Sequence, residues 1–80
     1  MQDLWKMDIQ TKIKDALRKT FDSSNSFTTT VRSIVTTAQE NHKGLSDNEI
    51  RQALNGMHGW RANGVDLQDK VEIEPSFFTH

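Results

Sequence analysis

The chain has 80 residues, 34 % of them apolar, with 10 basic and 11 acidic side chains and a net charge of −1. A chain this short buries only roughly 60–65 % of its unfolded surface, which leaves room for one domain with a thin core and disfavours a self-sufficient enzyme with a deep pocket. It contains no cysteine and no apolar run longer than two residues, so disulfide staples, thiolate metal sites, a cysteine nucleophile, a transmembrane span and a signal-peptide core are all excluded.

Leu, Ile, Val and Phe together stand just above the roughly 20 % level below which disorder is expected, and the small net charge gives no repulsive reason to stay unfolded. Without disulfides, a domain of this size points to an intracellular, cytoplasmic setting.

Residues 3–21 read as an amphipathic helix. Trp5, Ile9, Ile13, Leu17 and Phe21 recur every four positions, and Ala16 falls on the same stripe. Asp3 stands at the capping position. Asp8–Lys12 and Asp15–Lys19 are acid-before-base pairs at the i, i+4 spacing of an exposed face. The polar cluster Asp22-Ser23-Ser24-Asn25-Ser26 ends the helix.

Residues 27–42 are rich in Thr and Val, which favours strand. Period-two alternation nevertheless puts Ile34 on the wrong face, whereas one helical stripe takes Phe27, Val31, Ile34, Val35 and Ala38 together. The expectation is a second helix ending at Lys43-Gly44.

Residues 46–57 carry the clearest local signal. Ser46 and Glu49 form a capping box, and Leu45 and Ile50 stand at the two positions of a hydrophobic staple. Ile50, Ala53, Leu54 and Met57 trace the stripe of a third helix, which Asn55-Gly56 and Gly59 end.

Beyond it the signal divides. Trp60-Arg61-Ala62 and Val65-Asp66-Leu67 flank Asn63-Gly64 and read as a hairpin with a type I′ turn. Residues 71–74 alternate like another short strand. The rival reading starts a short helix at Asp66, with Leu67 and Val71 on one face. Pro75 ends what precedes it, and Phe77 and Phe78 are either packed back on the helices or offered to a partner. The expected fold is mainly α: a single domain of three helices with a short C-terminal β-hairpin or irregular appendage, α+β if the hairpin forms.

Signals for chemistry are sparse. His42, His58 and His80 show no metal-ligand spacing, and surface histidines are the expectation. There is no G-x-S-x-G, no G-x-G-x-x-G and no P-loop. No catalytic residue, metal ligand or cofactor is predicted. Leu45-Ser46, Glu49, Leu54 and Gly59-Trp60 are similar to the opening of pterin carbinolamine dehydratases, but the His-His-Pro region and long helix of that family do not follow.

A helix, a turn at 43–45, the capped segment Gly44-Leu45-Ser46-Asp47-Asn48-Glu49-Ile50-Arg51-Gln52-Ala53-Leu54, and a Gly-containing hairpin resemble a winged helix-turn-helix domain over residues 27–74. The resemblance implies a dimeric, DNA-binding transcriptional regulator. If 46–57 is the groove-reading helix, Asn48, Arg51, Gln52, Asn55 and His58 point outward; if it is the supporting helix, the reader falls in 66–74. The residues assigned to nucleic acid in this reading are Lys14, Arg18, Arg51, Gln52 and Asn55.

Charge speaks against that surface. Residues 1–43 hold seven basic and five acidic side chains, and residues 44–80 hold three basic and six acidic. DNA affinity comes largely from neutralising phosphates, yet the reading helix opens with Asp47 and Glu49, and the hairpin region carries Asp66, Asp69, Glu72 and Glu74. The least neutralised bases are Lys14 and Arg18 on the first helix, outside its two acid-before-base pairs; Lys6, Arg32 and Lys43 extend them into a modest patch.

Large aromatics dominate both cores and interfaces. The leading expectation is therefore a small non-enzymatic regulatory or accessory protein, of the size common in phages and mobile elements, that acts by docking on a protein partner. Trp60, Phe77, Phe78, Glu72 and Glu74 form the expected contact surface. No membrane partner is expected, and a homodimer is left open.

Overall fold

The structure is a computed structural model that describes residues 4–64 and 66–79, with side chains from Met7 onward. The Asp3 cap, the Trp5 and Lys6 side chains, Val65 and His80 lie outside the described residues. The Cα radius of gyration is 11.4 Å, close to the roughly 11.6 Å of a compact chain of this length.

Helix α1 spans Leu4–Thr20. It buries Ile9, Ile13, Ala16 and Leu17, the stripe its four-residue spacing predicts. The two acid–base pairs form on its outer side, with Lys12 Nζ 3.0 Å from Asp8 and Lys19 Nζ 3.2 Å from Asp15. Asp22 then organises the exit turn by accepting from Ser24 and Asn25.

The expected helix over 27–42 is two elements. Strand β1 spans Phe27–Thr30, and helix α2 spans Val31–Asn41. The physical reason lies at Thr30. Its backbone is extended and its hydroxyl accepts from the Ser33 amide at 3.1 Å, so it caps α2. The threonines before it find strand partners in β3, Lys70–Ile73, with Phe27 opposite Ile73 and Thr30 opposite Lys70. Phe27 thus leaves the helical stripe and stacks on Phe21, with ring centroids 4.4 Å apart.

Helix α3 spans Asp47–Leu54 and opens with the complete capping box. It stops before Met57, which packs partly buried against the core. Strand β2, Trp60–Arg61, pairs antiparallel with β3, Trp60 opposite Ile73 and Arg61 opposite Glu72. The sheet order is β1-β3-β2.

The tight Asn63-Gly64 hairpin and the helix from Asp66 are both replaced by a longer connection over 62–69. Two tethers hold that connection to α2. The Val31 amide donates to Asp69 O and the Arg32 amide to Leu67 O, both at 3.0 Å. These are first-turn N–H groups of α2 that have no partner within the helix. The Asp66 amide also donates to the Asp69 carboxylate at 3.0 Å.

β3 keeps the alternation its sequence shows, with Val71 and Ile73 buried and Lys70 and Glu72 exposed. Pro75 starts a 3₁₀ turn, Pro75–Phe78, whose two phenylalanines close the core. Gly59 makes that closure sterically feasible. It has φ +83°, and a Cβ there would overlap the Phe77 backbone. The core thus joins three helices and one face of a small sheet.

Candidate functional site

Two of the five residues expected to meet a partner are inside the fold. Phe77 is fully buried and Phe78 is 9 % exposed, the two rings meeting edge to face at 5.1 Å. They are corrected from contact residues to core residues. The 3₁₀ turn packs on α1 and carries both rings into the core cluster, where removing their apolar surface from water stabilises the fold. Trp60 is half-buried against the same core. Among the described residues, the one large hydrophobic left exposed is Met7.

Glu72 and Glu74 remain at the surface in different ways. Glu72 is exposed on the outer face of the sheet, in the row formed by Thr28, Glu72 and Arg61. Glu74 is half-buried and pairs with the Arg61 guanidinium. Arg61, Asn63, Lys70 and Glu72 help line a shallow concavity of about 290 Å³ on that face.

The α3 surface lies one element earlier. Asn48, Gln52 and Asn55 are exposed, while Ile50, Ala53 and Leu54 face inward. Arg51 is half-buried and its Nη2 lies 3.5 Å from Asp66, so it binds α3 to the 62–69 connection. Its carboxylate neighbours are structural as well. Asp47 accepts from Gln39 Nε2 at 2.7 Å, and Glu49 accepts from the Ser46 amide at 3.0 Å. Acids in the first turn also suit the positive end of the helix dipole. The charge remains: α3, the connection and β3 form an acidic half of the molecule.

Lys14 and Arg18 come together in a second depression, of about 410 Å³, along α1. Its walls include Asp15, His42 and Phe78. Arg18 Nη2 donates to Phe78 O at 2.9 Å, and the guanidinium sits 5.6 Å from the centre of the Phe78 ring. His42, expected to be a surface residue, is half-buried at the end of α2. Its Nε2 is enclosed, 3.5 Å from Asp15 Oδ2, without a well-formed hydrogen bond. The hydrogen bond from Lys19, then its charge, with help from His42, hold the Asp15 carboxyl below its ordinary value against the opposing cost of desolvation.

His42 was missed because Lys43-Gly44 reads only as a helix stop. Its relation to Asp15 depends on how α2 packs on α1, which no local spacing records. Among the described residues, no group of three or more His, Asp or Glu is placed to hold a metal ion. No described helix is long and apolar enough to cross a membrane. Comparison with protein-family models, with curated proteins and with solved structures finds no match.

Proposed function

We propose that the chain is a small non-enzymatic regulatory protein that docks its acidic C-terminal half on a basic surface of another protein. The observation behind this reading is the charge on α3 and the hairpin. Residues 44–80 hold six carboxylates against three basic side chains, and two of those bases, Arg51 and Arg61, are already engaged by Asp66 and Glu74. Such a surface repels phosphate and draws lysine and arginine, and complementary charge sets both partner choice and encounter rate. With Phe77 and Phe78 inside the core, the contact relies on polar groups, chiefly Glu72, Asp47 and the amides of Asn48, Gln52 and Asn55.

A second reading is favoured by one observation. Helix, turn, capped helix and antiparallel hairpin follow each other in the order that resembles a winged helix-turn-helix domain, and α3 presents Gln52 and Asn55 outward. Such amides pair with adenine edges in a major groove. In that reading the chain is a DNA-binding regulator.

One pair of assays separates them. The first reading predicts no gel shift with mixed-sequence duplex DNA even at about 50 mM salt, where phosphate contacts are strong. It also predicts a protein captured on the immobilised chain that is lost with Glu72→Lys combined with Asn48→Lys. A gel shift abolished by Gln52→Ala and Asn55→Ala would instead establish the second.

A further inference from the structure

We propose that the depression along α1 is a binding site for a small phosphate-bearing anion, held by Arg18 and Lys14. The volume of about 410 Å³ lies in the range of roughly 300–1,000 Å³ typical of small-ligand sites. The distribution of charge within it points to an anion. Lys12 and Lys19 are matched by Asp8 and Asp15. Asp15, the one carboxylate in the wall, is engaged by Lys19 and faces His42. Lys14 and Arg18, one helical turn apart, have no carboxylate at ion-pair distance among the described residues. They leave two positive charges converging on one depression.

Arg18 is also set in place before any ligand arrives. The Phe78 carbonyl takes one of its N–H groups, and the Phe78 ring centre lies 5.6 Å from the guanidinium carbon, within cation–π range. Its other N–H groups remain for a ligand, and part of the entropic cost of ordering a long side chain is already met by the fold. A guanidinium fork with an ammonium beside it matches a doubly charged phosphoryl group in geometry and in charge. Duplex DNA is the poorer match, because two cations beside the Asp15 carboxylate do not follow a run of phosphates.

The test is an amide NMR titration of the full chain with inorganic pyrophosphate at constant ionic strength. Saturable shifts are expected at Lys14, Arg18, His42 and Phe78. Arg18→Gln and Lys14→Gln should each weaken binding roughly tenfold, the value of one charge-assisted hydrogen bond, while Lys70→Gln leaves it unchanged. Arg18→Gln also removes the Phe78 contact, so Lys14→Gln keeps the test independent of packing. Shifts that never saturate, that spread equally to Lys19, Lys43 and Lys70, or that ignore both substitutions would overturn the site. Saturation by a single-stranded oligonucleotide but not by pyrophosphate would overturn the small-anion assignment.

Discussion

Individual side chains here do more for the fold than their types suggest. Asp15 and Asp22 both titrate below the ordinary carboxylate value of 3.8, Asp15 chiefly through Lys19 and Asp22 chiefly through the Ser24 hydroxyl and amide. A depressed folded value means that stability from these groups is present above the unfolded value and is lost as pH falls through the folded one. Urea midpoints measured against pH should therefore drop below about pH 4, and Asp15→Asn and Asp22→Asn should each reduce that drop; an unchanged acid limb in both variants would contradict the assignment. Phe77 offers the larger effect. With its ring fully buried, Phe77→Ala should cost about 3–5 kcal/mol in denaturant unfolding. Glu72→Lys, on the exposed sheet face, should change stability by less than about 0.5 kcal/mol. The aromatic dipeptide was readable as important, but its direction was not. Phe77-Phe78 has the same composition whether it faces a core or a partner, and only the packing of the 3₁₀ turn beneath Gly59 decides.

Among the elements, those with a complete local code emerged from the sequence, and those that depend on distant pairing did not. The α1 stripe and the Ser46–Glu49 box need only neighbours three and four positions away, so both stand where spacing puts them. Strand β1 needed β3, whose partners lie 40 to 46 positions later; within 27–42 alone, Ile34 tipped the pattern toward one long helix. The 62–69 connection needed the first-turn amides of α2 as partners, which no turn dipeptide announces. Thr30 sits at the junction as last strand residue and helix cap, and Ser46 has the corresponding role for α3. Ser46→Ala and Thr30→Ala should each destabilise the chain by about 1 kcal/mol in chemical denaturation. Cap substitutions without effect would show that tertiary packing alone sets these helix starts. For the candidate surfaces, the closeness of Lys14 and Arg18 follows from helical spacing, whereas Phe78 and His42 join them only through tertiary packing.

At the scale of the whole molecule, charge is divided between the two halves of the chain. The N-terminal half leaves Lys14 and Arg18 unmatched in the α1 depression, while the C-terminal half presents carboxylates around α3 and the outer sheet face. On the proposed reading, the carboxylates around α3 and the outer sheet face disfavour a phosphate backbone and favour a basic protein surface. The most direct measurement is photo-crosslinking in the source cells from position 52, on the exposed side of α3, with position 43, in the turn between α2 and α3, as a control. Docking through the acidic face predicts a single protein adduct from position 52, mapped to a lysine- and arginine-rich surface and absent from position 43. An adduct to DNA from position 52, or the same adducts from both positions, would contradict it.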